Sequence, residues 1–245
     1  LESWPLRACS QQQTADDGFA RSQLHPVPRL MVMRQSSGDQ VHRPEAYVDP
    51  LAITLLIGAT LLGSVPFGFV LAKHFLKIDL QEMGSGNIGA TNAMRAGGAK
   101  FGAAILMLDA AKGLAAPLLA RFFGFDEAIV AGCGLAAVIG HCYTPFLRFR
   151  GGKGVATSLG VILALAPALG AVGVGAYALT LILTKTSALG SLAGTGAAVA
   201  LAWFLPFYDE RLALRLVLSS ICALIVWRHR SNLYALRQAK GDKSL

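Results

Sequence analysis

Charge is scarce in this chain. Only 15% of its 245 residues are charged, whereas 54% are apolar; soluble domains carry roughly a quarter charged residues. Acidic groups are the scarcer sign, 14 Asp and Glu against 22 Lys and Arg. This balance excludes an ordinary soluble domain and points to an all-α, polytopic integral membrane protein. Cysteine is sparse too. Cys9, Cys133, Cys142 and Cys222 form no Cys-x-x-Cys pair, which excludes a disulfide framework and a zinc knuckle. Three of the four fall in apolar runs, where a thiol is a small hydrophobe. No metal and no cofactor are expected.

Polarity is concentrated at the N-terminus. Residues 1–50 hold five Arg and six acids, whereas residues 51–245 hold 17 Lys and Arg and eight acids. The first 45 residues are rich in Gln, Ser, Pro and Arg and lack apolar periodicity, so 1–50 reads as a disordered extension. They also lack the apolar core of a signal peptide. The sequence starts at Leu1, and Met31 and Met33 stand just ahead of the apolar part. An overextended reading frame or an extension without functional importance is expected.

After Pro50 come apolar stretches of bilayer length, about 20 residues each, at 51–73, 101–121, 128–147, 154–167, 169–184, 188–206 and 212–227. The fourth and fifth are short and divided only by "APALG", which leaves a kinked pair open; seven transmembrane helices is the expected count. The basic residues lie in the links, which argues for membrane topology and against nucleic acid as a partner. One set of links holds Lys73, Lys77, Arg95, Lys100, Arg148, Arg150, Lys153, Lys185, Arg228, Arg230, Arg237, Lys240 and Lys243; the other holds Arg121, Arg211 and Arg215 with four acids. The expected topology has the N-terminus outside and the C-terminus cytoplasmic, with the unusual loops on the cytoplasmic face.

Those loops carry the chemistry. "GSGNIGATN", Gly84 to Asn92, satisfies G-x-G-x-x-G, but no β-rich run precedes it, so a dinucleotide site is not expected. Its glycines let backbone N–H groups approach an oxyanion, and "ATNAMR" can start a helix whose N-terminus faces the loop. Ser85, Thr91 and Asn92 add donors, and Arg95 adds a planar cation suited to phosphate. "GGKG", Gly151 to Gly154, is not a Walker loop, yet it exposes backbone around Lys153 at a helix start. His74 and Asp79 match H-x-x-x-x-D by chance in a helix-exit segment. Asp109 and Lys112, three apart within a span, share a face and can pair; a structural pairing and a substrate contact are equally open. His141 suits a buried, hydrogen-bonded role. His229 and Asn232 follow the last span at the level of the loops, and the imidazole is an eligible donor to phosphate.

"GSGNIGATNAMR", "LDAAKG", "GHCYTPFLRFRGGKGVATSLG" and "RHRSNLYAL", in this order, resemble the bacterial acyl-phosphate:glycerol-3-phosphate acyltransferases, the PlsY family. The resemblance covers about 51–245 and implies a membrane-embedded acyltransferase domain there. It implies a seven-span enzyme of the bacterial inner membrane whose active site faces the cytoplasm and which acylates glycerol 3-phosphate to lysophosphatidic acid. The donor is then an acyl phosphate, supplied by a soluble enzyme that draws on acyl carrier protein; membrane lipid surrounds the site. Ser85, Thr91 and Arg95, then Lys153, then His229 and Asn232 correspond to active-site residues of the three motifs. With the loop readings this gives Ser85, Arg95, Lys153, His229 and Asn232 as the catalytic set. Gly84, Gly86, Asn87, Gly89, Thr91, Asn92, Gly151, Gly152, Gly154 and Ser187 form the substrate-binding set. The family's K-Y-x-S-L-like stretch reads "KTSALGS" here, which leaves Ser191 a rival to Ser187.

An acyl phosphate is an activated mixed anhydride, so positioning and electrostatic stabilisation suffice, without a Ser-His-Asp arrangement. The first loop is expected to hold the reacting acyl phosphate and "GGKG" the phosphate of glycerol 3-phosphate. A transporter would place its site near mid-membrane within repeats, and no internal repeat is visible. A non-catalytic scaffold would not account for three anion-suited loops on one face.

Overall fold

The computed structural model describes residues 49–241, and every regular element among them is helical. The extension expected over 1–45 lies outside the described residues. Asp49 accepts from Leu51 N–H and caps α1, Pro50–Ser64, which has Pro50 in its first turn. Val65–Pro66 interrupts the chain, since proline offers no N–H. A short α2, Phe67–Leu71, and a π-helical turn, Ala72–Leu76, complete the first membrane segment. The helix α3, Ala90–Phe122, begins a full eleven residues ahead of the stretch at 101–121 and breaks at Gly98 (φ 84°). Its first turns, "ATNAMR", therefore belong to the loop end, as expected. Then come α4, Glu127–Cys142; α5, Val155–Leu165; α6, Pro167–Thr184; α7, Ser187–Phe204; α8, Leu212–Arg228; and α9, Arg230–Gly241.

Five segments are long and apolar enough to cross a membrane, and a sixth is reached if α8 and α9, bent by 47°, count together. The stretch at 154–167 yields only the 11 residues of α5, about 16 Å of helix against a hydrocarbon core of about 30 Å. Its carbonyl end is closed by side chains from other segments: Arg121 donates to Ala164 O at 3.0 Å and Arg211 to Leu165 O at 3.0 Å. Proline at the start of α6 cannot donate there, so the two arginines supply what the helix break removes.

Ile57, Leu61, Met107, Ile182, Leu183 and Phe204 are exposed on the outside of the bundle, as a lipid-facing surface requires. Ser64, Asp109, Lys112, His141, Thr144, Thr157 and Ser158 are buried within. Small residues bring backbones together. A Cβ on Gly63 would stand 2.1 Å from Ala137 O, joining α1 to α4; one on Gly160 would stand 1.9 Å from Ala110 O, joining α5 to α3. Lys112 donates to Val65 O at 2.8 Å, at the break after α1, and lies 2.9 Å from Asp109. Of the two readings left open for this pair the structural pairing is present, and Asp109 also reaches the cavity described next.

Candidate active site

The loop between the π turn and α3 is tied down by two buried apolar residues, Leu80 and Ile88, and by one amide. Asn92 donates from Nδ2 to Leu80 O and to Met83 O, both at 3.0 Å, and its Oδ1 accepts from Ser85 N–H at 3.2 Å. The amide is thus occupied with folding the loop. Gly84 and Gly86 have φ of 55° and 67°. A Cβ on Gly84 would stand 2.4 Å from Asn92 Oδ1, so both conformation and close approach require glycine there. The consequence is that Ser85, Asn87 and Gly89 face a cavity of about 510 Å³, as do Thr91, Asn92 and Arg95 at the start of α3. Gly84 and Gly86 shape the loop without lining that cavity. The N-terminus of α3, with its free N–H groups, opens onto it.

The glycine-rich second loop divides in the same way. Gly151 N–H donates to Cys142 O at 3.2 Å and Gly152 N–H to His141 O at 3.1 Å. Their own carbonyls accept from Arg228, which lies over the Tyr143 ring. Neither N–H remains for an anion. Gly151 lines a second, smaller recess with Gly86 and Arg228, whereas Lys153 and Gly154 line the main cavity. Gly154 (φ 83°) caps α5, whose N-terminus is the second helix start facing the site. Burial and the nearby Arg228 and Arg95 push the Lys153 ammonium below its ordinary pKa. Lys153 donates from Nζ to Asn232 Oδ1.

A third contribution comes from the turn between α6 and α7. Ser187 Oγ lies 3.0 Å from Tyr177 OH and 3.3 Å from Thr91 Oγ1, bridging the first loop to α7. Ser191 instead donates to Ser187 O at 2.9 Å. Both line the cavity, but only Ser187 joins two motifs. Tyr177 was not legible in the sequence, because a lone aromatic in "GAYAL" reads as lipid-facing or core. His229, just past α8, has Nδ1 2.8 Å from Ile225 O, which accepts its proton and leaves Nε2 as the acceptor of a neutral ring. Burial, and secondarily the neighbouring Lys153, hold its pKa below the usual imidazole value against the opposing backbone bond.

Ser85, Arg95, Lys153, Ser187, His229 and Asn232 therefore share one cavity, at one end of the bundle. His74 lies in the π turn and does not line it. His141 is buried as expected, but its hydrogen bonding differs: Nδ1 has no hydrogen-bond partner and stands 3.6 Å from Asp109 Oδ1. Beyond the cations the cavity turns apolar, lined by Leu106, Leu159, Ile162 and Val174.

Residues 53–239 match the family described as glycerol-3-phosphate acyltransferase. The glycerol-3-phosphate acyltransferase of Roseobacter denitrificans is 46% identical over 199 residues, covering 81% of this chain and 96% of that one. That of Anaeromyxobacter sp. (strain Fw109-5) is 44% identical over 195 residues, covering 76% and 93%. The crystal structure of PlsY (YgiH), an integral membrane glycerol 3-phosphate acyltransferase, in its glycerol 3-phosphate form is similar with a TM-score of 0.72 and 38% identity, covering 77% of this chain and 93% of that one. Its lysophosphatidic acid form gives 0.70 and 37% with the same coverage. With the motifs gathered at one cavity and the match running through nearly all the described helices, the chain belongs to the glycerol-3-phosphate acyltransferase family.

Proposed function

We propose that this chain transfers the acyl group of an acyl phosphate to the 1-hydroxyl of glycerol 3-phosphate. The products are 1-acyl-glycerol 3-phosphate, lysophosphatidic acid, and inorganic phosphate. The observation that carries this reading is a single cavity of two characters. Arg95, Lys153, Asn232 and two helix N-termini form its polar end; Leu106, Leu159, Ile162 and Val174 give it an apolar part. Phosphates suit the first part and an acyl chain the second.

The chemistry asks little of the protein beyond position. The hydroxyl oxygen adds to the acyl carbonyl carbon, the carbon–oxygen bond to phosphate breaks, and a phosphate oxygen takes the hydroxyl proton. Arg95, with the Ser85 loop and the N-terminus of α3, holds the acyl phosphate and follows charge onto the leaving phosphate. Lys153, steadied by Asn232, and the N-terminus of α5 hold the phosphate of glycerol 3-phosphate. His229 completes that subsite, and Ser187 with Thr91 closes the opposite wall. No nucleic acid and no cofactor enter the scheme. The acyl phosphate comes from a soluble enzyme that draws on acyl carrier protein.

A seven-pass arrangement in the bacterial inner membrane belongs to the same reading, with the site facing the cytoplasm and the N-terminus outside. Helix ends support it: Leu76, Cys142, Thr184 and Arg228 end, and Ala90, Val155 and Ser187 begin, at the end of the bundle that holds the cavity. The α5 helix is then a short pass completed by its arginine closure. The deciding experiment incubates purified protein with glycerol 3-phosphate and either acyl phosphate, acyl-CoA or acyl carrier protein. Lysophosphatidic acid is expected with acyl phosphate alone. Comparable turnover with acyl-CoA, in a preparation free of other acyltransferases, would overturn the donor assignment.

A further inference from the structure

The last helix has a side that the active site does not use. On α9, Asn232 accepts from Lys153, and Leu233 and Leu236 beside it are half-buried. Arg230, Tyr234 and Arg237 lie round the other side and are exposed. Their spacing of four and three residues makes one stripe. That stripe begins on α8, where Leu212, Leu216, Ser220, Ala223 and Trp227 are exposed at the same helical spacing. It carries on past the 47° bend between the two helices.

The stripe changes chemistry along its length. On α8 it is apolar, and its one hydroxyl, Ser220, is folded back onto Leu216 O at 2.8 Å, which suits a face covered by lipid. With 17 residues, α8 is about 25 Å long and takes up most of a hydrocarbon core of about 30 Å. Trp227 then stands at the level of the headgroups, where tryptophan is enriched. Arg230 lies over its ring at 4.4 Å and donates to its carbonyl at 3.2 Å. Among the described residues, neither Arg230 nor Arg237 has an acidic partner. Residues 228–245 hold five Lys and Arg against one Asp, and a cluster of about four to eight cations directly past a span attracts anionic lipid. Topology accounts for cations at this end, but not for aromatic and arginine residues alternating along the stripe that lipid covers on α8. A soluble partner would meet the end of the bundle, whereas this stripe continues its lipid-facing side.

We infer that the exposed side of α9 rests on the membrane surface and binds the phosphate groups of anionic phospholipids. Trp227 and Tyr234 sit among the headgroups, and Arg230 and Arg237 meet the phosphates. Asn232 is on the opposite side of the same helix, so docking α9 also holds its amide at Lys153. Membrane charge thereby steadies the subsite for glycerol 3-phosphate. That second step rests on Lys153 and Asn232 serving this substrate; the docking does not.

The test places the full chain in nanodiscs of phosphatidylcholine, with or without phosphatidylglycerol in both leaflets. A polarity-sensitive fluorophore is attached at Gln238→Cys, an exposed position beside Arg237, and unsubstituted protein corrects for native thiols. No substrate is present and the leaflets are alike, so an error in donor, acceptor or orientation leaves this readout intact. Phosphatidylglycerol should shift the emission to the blue and lower quenching by neutral acrylamide about twofold or more. High salt should reverse the change, and the double variant Arg230→Gln/Arg237→Gln should respond little. An unmoved probe with both arginines present, or a full response in the double variant, overturns the docking. In parallel, KM for glycerol 3-phosphate is compared between wild type and double variant in the same discs, which cancels repulsion of the substrate by the charged surface. Wild type should have the lower KM by about threefold with phosphatidylglycerol, and no advantage without it. A probe that moves while the two KM values stay equal overturns the link to Lys153.

Discussion

At the residue scale, His229 and Lys153 are neighbouring site groups that share one electrostatic tendency. Both pKa values are held down, His229 by burial and by Lys153, Lys153 by burial and by Arg228 and Arg95. A lowered imidazole pKa means that the ring is neutral at pH 7 and protonates only as pH falls below its ordinary value. An incoming phosphate reverses the balance, since an anion favours the charged form. Ring nitrogen shifts of His229 should therefore titrate below pH 6.5 in the free protein and move upward when glycerol 3-phosphate saturates the site. A titration unmoved by the ligand would separate His229 from the phosphate subsite. Arg95 differs from these two in kind. Its planar fork can follow charge onto the leaving group, so Arg95→Lys should lower kcat by about tenfold or more, with a smaller change in KM. A change in KM alone would move Arg95 to ground-state binding. Gly152→Ala should raise KM for glycerol 3-phosphate, because its methyl would stand 2.0 Å from His141 Nε2 and the loop that carries Lys153 would have to move. The sequence singled out this glycine as a place of close backbone approach; the approach is to His141, and its N–H is bonded to His141 O and is not an anion donor. Residue type and spacing reveal where backbone crowds; they do not reveal which group it crowds against.

At the element scale, α5 decides the shape of the site. It is short, its start carries Gly154 beside Lys153, and its length packs on α3 with almost no side chain between the backbones. Gly160→Ala would place a methyl 1.9 Å from Ala110 O, so the helices must separate, at a cost of about 1–3 kcal/mol for overpacking. The same separation shifts the Lys153 end. Thermal unfolding in detergent should show a lower Tm, and kcat/KM should fall although Gly160 does not line the cavity. Unchanged values in both would mean that the α3–α5 contact is looser than its geometry indicates. Length and hydropathy located all the major helices, because a bilayer imposes length on apolar runs. They did not reveal the break at Val65–Pro66 or the early end of α5. Both breaks depend on partners distant in sequence: Lys112 satisfies Val65 O, and Arg121 and Arg211 satisfy the end of α5. Tyr177 and Ser158 escaped notice for the same reason, being ordinary residues in apolar helices until the bundle turns them toward one cavity.

At the scale of the whole molecule, two kinds of surface sort to opposite ends. The cavity end carries Arg95, Lys153 and Lys185, with Arg228 at the adjoining recess; the far end carries the Arg211–Glu127 ion pair and Arg215 with Asp209, so acids accompany its cations. The family match begins at residue 53, and the polar composition ahead of it cannot bury a core. Replacing residues 1–45 with a new initiator Met should therefore leave specific activity within about twofold. The charge sorting supports the proposed orientation, because cations retain loops in the cytoplasm and acids contribute little. Glu82 and Glu210 are both exposed, one in the first site loop and one ahead of α8, and neither lines the cavity. In intact spheroplasts, a membrane-impermeant maleimide should label Glu210→Cys, and should reach Glu82→Cys only after permeabilisation. Unsubstituted protein corrects for the four native thiols, Cys9 in the N-terminal extension and the buried or half-buried Cys133, Cys142 and Cys222. The opposite pattern would invert the protein in the membrane, and equal labelling of both before permeabilisation would place the two loops on one face. Either result would remove the seven-pass arrangement with a cytoplasmic site, whereas the expected one agrees with the orientation proposed for the acyltransferase, in which glycerol 3-phosphate enters the cavity from the cytoplasm.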